Sequence, residues 1–535
     1  MAESHPVSGA PHLSYLTEAF SKDHRPSFPE GPKIKVSEAV STLAFLYEKV
    51  RQAMEYQESH LLRRAAVERI LMRRLRPESN ASSVAEALVK ELIRGRYLEN
   101  NTYPESLITI VGKTLEKYIY LLQKIEGRKE GMDLPAGRQG LSEWLMRLAS
   151  SEIEEIFTPP NRDDALAAFM YTNISKAAIL KDDALNENEK RLQLYLAIYK
   201  TLLKLDRAML EFNLFELFYP NWKQADYPLL EEVGANLIRI KERSTAILGY
   251  PLGGALAAQV KRYVPPFFVL RDALEKEGAK ILGSQMDLVR AVRTAYQRRY
   301  ERERARLATA ATRALIYIFL TKILLSLAFE LPAERFIYGE VRRIPFMINF
   351  FFPPLLIFLL TLSLMPPGRE NEERVVKAVE GAIFGGTNGV FSEQYRVEVK
   401  KRSRTLSLVL FLLYLATFAI IFGAVSYLLR LVDFTLFGLL LFFFYTSVVM
   451  YFGIRVRDSS HELVMVGRKE TFASVLFSFI SLPFLKVGSY VSIGLSRFNF
   501  LVLFATVLIE APFQKLIEIL EEWVSFMREK KEEVY

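Results

Sequence analysis

The chain contains no cysteine, which excludes a disulfide framework, thiolate nucleophiles and sulfur-ligated metal while leaving the compartment open. Histidine is nearly as scarce. His5, His12, His24, His60 and His461 are the whole supply; none forms an HExxH pair and three lie in the N-terminal tail, so no metal site is expected. A GxSxG nucleophile elbow is missing, and no histidine lies inside an apolar run where it could activate a serine. Gly112-Lys113-Thr114 has the tail of a phosphate-binding loop, but Leu107 stands where that loop needs glycine. Its helical context would also leave no free amides to cradle a phosphate. The expectation is therefore a protein that is not an enzyme and carries no cofactor.

What the chain does have is concentrated between Met286 and Glu330, where an arginine-crowded helix passes without a break into an apolar run. Arg290, Arg293, Arg298, Arg299, Arg302, Arg304, Arg306 and Arg313 are opposed, between Arg290 and Arg313, only by Glu301 and Glu303. From Ala314 to Phe329 only Lys322 interrupts the apolar run. Basic residues collect on the cytoplasmic flank of a first transmembrane helix, so this pattern marks a crossing and its direction. The formal charge of +9 suits anionic lipid headgroups better than nucleic acid, because no interleaved aromatic and basic residues accompany the arginines. Arg290, Arg293, Arg298, Arg299, Arg302, Arg304 and Arg306 are the candidate lipid contacts.

Half of the residues are hydrophobic, and the 38 Phe gather after residue 314, which divides the chain into a helical part and a membrane part. Residues 1–36 are polar and hold five prolines before Lys33. They read as a disordered tail without the apolar core of a signal peptide. Residues 37–305 read as a cytoplasmic helical domain. Its starts are marked by Ser83 with Glu86, Thr102 with Glu105 and Asn186 with Glu189, each a capping box or its analogue. One apolar face runs from Tyr195 to Phe212, and Tyr219-Pro220-Asn221 stops that helix. Thr245–Val260 is uncharged but too short to span, and reads as a buried helix closed by Pro265-Pro266. No alternating strand pattern appears.

Apolar runs then recur at Ile344–Met365, Leu406–Leu429, Phe434–Gly453, Phe472–Leu485 and Phe498–Leu508. With Ala314–Phe329 they make six candidate crossings within residues 306–512, followed by a cytoplasmic amphipathic helix over 513–535. Basic residues crowd the links after the second, fourth and sixth runs, which places those links and both termini on the cytoplasmic side of a cell or inner membrane. The fold class is all-α: a cytoplasmic helical domain followed by a polytopic membrane domain of about six helices.

Inside the membrane part Lys322, Glu330, Asn349 and Glu510 are the candidate charge or ion-pathway residues. Pro332, Pro353, Pro354, Pro483 and Pro512 are the candidate helix breaks. Phe329–Ile337 and Ile509–Ile517 echo each other, each with Glu two residues before Pro. By depth along their helices, Lys322 and Glu510 coincide and are expected to pair. Gly385–Gly389 reads as a hinge or an anion-binding nest. Two functions fit this pattern: a membrane-anchored interaction or scaffold protein with an unidentified cytoplasmic partner, or an ion or small-solute transporter using the intramembrane charges. Threading is directly testable because the chain is free of native cysteine. Single cysteines at Ser392, Ser459 and Ser525 should all escape an impermeant thiol reagent on intact cells, and labelling of any one of them breaks the six-crossing scheme.

Overall fold

The computed structural model describes residues 12–21, 28, 31–36, 58–127, 135–362, 369–385, 395–398, 404–459, 465 and 472–497. The tail is not structureless throughout. Helix α1 (His12–Ser21) seats Leu16 and Phe20 in the domain core, and Ile34 and Val36 are buried further on. Apolar side chains at Leu16 and Phe20, four residues apart, give even this short helix a face to bury.

The helical domain continues through α2 (Ser59–Arg74), α3 (Ala81–Arg94), α4 (Ser106–Glu126), α5 (Pro135–Phe157) and α6 (Asn161–Ile174). Strand β1 (Ala178–Lys181) follows, and then α7 (Glu187–Leu202), α8 (Arg207–Phe218), α9 (Tyr227–Leu248), α10 (Gly253–Val260) and α11 (Val264–Glu277). The capping box at Asn186 and Glu189 forms with both hydrogen bonds. The other two starts shift. Asn80 rather than Ser83 caps α3, accepting from the Ser83 amide, and α4 begins after Glu105 with no side-chain cap. The long apolar helix expected up to Phe218 is two helices. Lys204 takes a positive φ of 55° between them, and Asp206 caps the second. Pro265 and Pro266 open α11 rather than close α10, since a first turn has no use for their missing amides. Gly112 lies inside α4 against Ser82 and Ala85, a close helix contact rather than a phosphate loop.

Two apolar cores result. One is enclosed by α2 to α5 with α8 and α9. Within it Lys117 and Glu152 pair, and Glu152 also accepts from the Tyr118 hydroxyl at 2.8 Å and the Trp222 indole at 2.7 Å. The carboxylate thus has three donors, which a buried charge requires. The second core gathers α1, α6, α7, α10 and α11, with Leu256, Ala257 and Val260 supplying the buried face of the short α10.

Helix α12 (Gln285–Leu325) leaves this second core, and a wide π turn at Ser326–Glu330 leads to α13 (Leu331–Tyr338). Then follow α14 (Arg343–Leu362), α15 (Arg369–Phe384), β2 (Tyr395–Glu398), α16 (Arg404–Arg430), α17 (Leu436–Ser459) and α18 (Phe472–Arg497). The absence of strands does not hold: β1 and β2 pair in parallel, with Ala178 opposite Tyr395. Among the described residues three helices, not six, are long and apolar enough to cross a membrane: Arg343–Leu360, Leu408–Arg430 and Leu436–Ile454. Most side chains of the first run, Ala314–Phe329, lie outside the described residues. In α18 the apolar part is the shorter Val475–Val491. Phe498–Leu508 and the helix expected over 513–535 lie outside the described residues. Pro353 and Pro354 sit inside α14 and Pro483 inside α18 without ending either helix. Gly453 admits the Leu360 side chain, and Gly488 lets α18 lie directly on the Ser447 backbone, where a Cβ would collide.

The links alternate between the two ends of this bundle. After α14 the chain returns to the helical domain, where Val375, Val376, Val379 and Ile383 of α15 and Val397 of β2 enter the second core. The link after α17 comes to the same place, with the Met465 amide donating to Asn371 Oδ1 at 2.8 Å. At the other end Arg342 donates to the Asp433 carbonyl at 2.8 Å and Thr435 to Glu334 at 2.6 Å, joining the link after α13 to the link after α16.

One half-buried acid in the helical domain carries a pH signature. Asp164 Oδ1 accepts from Tyr199 at 2.5 Å. Burial pushes its carboxyl up to about 7 from an ordinary 3.8, against the pull of that hydrogen bond. The folded state therefore holds a proton that the unfolded chain gives up. The corresponding stability is complete below the unfolded value and is lost as pH rises through about 7. The melting temperature of the full chain should fall between about pH 5 and pH 8. Asp164→Asn should flatten that slope and melt higher than wild type at the upper end by about 2 °C or more; parallel pH curves would show that Asp164 is not the titrating group.

Candidate intramembrane charge site

A helix that crosses from water into lipid must keep its backbone bonds internal and find partners for every charge it carries. Helix α12 does the first over 41 residues, about 60 Å of continuous helix. Leu288, Ala291, Val292, Ala295 and Tyr296 anchor its start in the helical domain. Its far end meets α14 and α17, with the Phe319 ring 5.9 Å from that of Phe350.

There the helix widens. Pro332 has no amide to bond the previous turn and its ring crowds the carbonyl four residues back, and the chain passes through the π turn of Ser326–Glu330 just before it. In that turn Glu330 comes within reach of Lys322, two turns earlier. Lys322 Nζ lies 2.7 Å from Glu330 Oε2, and Ser326 Oγ donates to the same oxygen at 2.8 Å. Asn349 Nδ2, from α14, donates to Glu330 Oε1 at 2.5 Å. On the other side the ammonium sits 4.0 Å above the ring of Tyr445 in α17. The pair is sealed, with side-chain exposures of 1 % for Lys322 and 3 % for Glu330. Each oxygen of the carboxylate is occupied and the opposite charges cancel, so the cluster ties three helices together at no net charge. Asn349 Oδ1 is the exception. It is buried with no hydrogen-bond partner among the described residues, an acceptor left over beside an ion pair.

Three of the four intramembrane candidates thus meet at one point, and Lys322 takes Glu330 as a partner the sequence did not single out. Glu510, the partner expected for Lys322, lies outside the described residues, as do Pro512 and with it the second copy of the Glu-x-Pro echo. Ser326 and Tyr445 were not anticipated. Ser326 stands four residues before Glu330, a spacing that could have exposed it, whereas Tyr445 is set by tertiary packing alone. Gly385 takes a positive φ of 78° as α15 ends, and residues 386–394 are outside the described set.

The seven candidate lipid contacts separate. Arg299 turns inward, 9 % exposed, with both Asp272 oxygens within 2.9 Å and Phe268 beneath its guanidinium. It is not open to headgroups. Arg290 is exposed but paired with Asp287 at 2.8 Å, and Arg293 lies 3.6 Å from Glu372. Arg298, Arg302 and Arg304 are exposed with no partner among the described residues. The Arg306 side chain is not described.

Comparison with protein families, with curated proteins and with solved structures finds no match. The arrangement of the chain's own residues therefore carries the functional reading. Lys322→Met and Glu330→Gln should each lower stability by roughly 3 kcal/mol, the scale for stranding one partner of a buried pair. The double replacement should cost clearly less than the two together in a denaturation cycle on the full chain. Strict additivity would mean that the two charges do not feel each other.

Proposed function

We propose that this protein is a membrane-anchored interaction or scaffold protein, not an enzyme, that holds its helical domain against the cytoplasmic face of a cell or inner membrane. The observation that carries this reading is the way α15 and β2, between two apolar membrane helices, are built into the helical domain's own core through Val375, Val376, Val379, Ile383 and Val397. A domain hung from a tether would not need such a return. The chain spends two elements on fixing where the domain sits and how it faces the bilayer, which suits a platform that presents a surface to a partner. The internal cancellation of Lys322 and Glu330 supports the same reading, since a neutral tie stabilises a bundle without requiring a passage through it. Six crossings with both termini cytoplasmic remain the proposed threading, and the alternation of links between the two ends supports it.

A second reading has one observation in its favour. Asn349 Oδ1 is a buried oxygen with no partner among the described residues, next to a carboxylate and an ammonium, and such a group serves an ion or proton path as well as a tie. In that reading Lys322 and Glu330 separate during transport. Reconstituted full-length protein in liposomes distinguishes the two. The scaffold reading expects potassium, sodium and proton fluxes equal to those of empty liposomes. A flux in wild type that disappears in Glu330→Gln overturns it in favour of transport.

A further inference from the structure

Three helices end together at the side of the bundle away from the helical domain. The Lys322–Glu330 cluster is a common mark on them, since Glu330 holds Asn349 of α14 and Lys322 lies over Tyr445 of α17. From that mark to the helix ends, Glu330 to Tyr338, Asn349 back to Arg343 and Tyr445 back to Leu436 rise about 12, 9 and 14 Å. The ends therefore lie at one level, where the Arg342 bond to the Asp433 carbonyl and the Thr435 bond to Glu334 tie the two links. Gly339, with a positive φ of 75°, closes α13 there.

Helix α13 turns Glu334 inward to Thr435 and leaves its apolar side chains uncovered. Phe336 is 89 % exposed, Ile337 63 % and Tyr338 38 %. We propose that these three residues are a lipid-contact surface in the leaflet away from the helical domain, so that the first crossing continues through the π turn and ends at Gly339 rather than at Phe329. The proposal rests on the membrane anchoring argued above and holds for a scaffold or a transporter alike. Continuity supports it. Across the short link from Gly339 the exposed apolar surface resumes as a stripe of Ile344, Met347, Phe351 and Leu355 on α14, a helix long and apolar enough to cross a membrane. The order of residue types supports it as well, because Tyr338 is the outermost of the three, as suits an amphipathic ring at an interface, and the exposed Glu340 and Arg343 follow it. Arg335 is exposed within α13, and its long stem reaches the same boundary along the apolar surface. Lipid is favoured over a second copy of the chain by the breadth of the exposed surface. Three consecutive residues point over about 200° of the helix, whereas a packed helix covers a narrower stripe of residues three and four apart.

The cysteine-free chain permits a direct test. Phe336→Cys, Ile337→Cys, Glu340→Cys and Leu355→Cys, each in the full chain, are spin-labelled and reconstituted in vesicles of phosphatidylcholine and phosphatidylglycerol. Collision of each label with oxygen, which concentrates in lipid, is compared with collision with a water-soluble nickel chelate. Labels at 336 and 337 should favour oxygen several-fold, as the reference at 355 does, and the label at 340 should favour the chelate. If 336 and 337 favour the chelate while 355 favours oxygen, α13 stands in water and the proposal is overturned with the membrane reading intact. Spin–spin broadening at 336 and 337 that disappears on dilution with unlabelled protein overturns it in favour of a second copy. A label at 355 that favours the chelate removes the membrane reading and this proposal together.

Discussion

The structure depends on a backbone that satisfies its own hydrogen bonds while it changes solvent. Helix α12 is the segment that meets this constraint, since one uninterrupted helix lies in the core of the helical domain at one end and among membrane helices at the other. Its side chains change with their surroundings along one axis. They are apolar against α11 and α15, basic from Arg298 to Arg304, and apolar again in the bundle. No loop absorbs the transition, so the orientation of the domain is transmitted to the bundle by the stiffness of a helix.

The same constraint explains where polar chemistry appears in the bundle. A proline at position 332 costs the preceding turn its regular bonding, and the π turn there presents Glu330 to Lys322 with Ser326 and Asn349 completing the carboxylate's shell. A helix defect and a charge that needs a partner occupy the same place and resolve each other. At the opposite link Thr435 and Glu334 repeat the principle on a smaller scale, joining two turns that would otherwise present unpaired groups at a boundary.

Much of this was legible in the sequence, and the rest was hidden for identifiable reasons. Hydropathy along the chain finds the helices long and apolar enough to cross a membrane, and charge along it anticipates the alternation of links, because both are one-dimensional properties. The capping box at Asn186 is local and appears as read. Lys322, Glu330 and Asn349 stand out as costly in lipid. That Lys322 meets Glu330 does not, because Glu330 reaches Lys322 only through a π turn; depth arithmetic on ideal helices points to Glu510, which lies outside the described residues. Arg299 looked like its neighbours in a run of arginines, yet one residue of helical rotation turns it onto Asp272 and Phe268. The split between α7 and α8 turns on a positive φ at Lys204, a conformation for which lysine gives no warning. Strand β1 is four residues long and finds its partner only after the long α12 and the apolar α14 have intervened, so no local pattern announces it.

That late partner has a consequence for how the protein is made. Ala178 to Lys181 emerges from the ribosome early, but the Tyr395 to Glu398 strand that pairs with it, and the α15 valines that close the same core, are synthesised only after α12 and α14. Contacts so distant in sequence form slowly, and the surface awaiting them is exposed meanwhile. The helical domain thus stays unfinished until α12 and α14 have been made and placed. Until then its second core is open where Val375, Val376, Val379, Ile383 and Val397 belong. Completion of the fold is then itself a check on where the apolar α14 has gone, since only a chain that brings α15 and β2 back to the domain covers this surface.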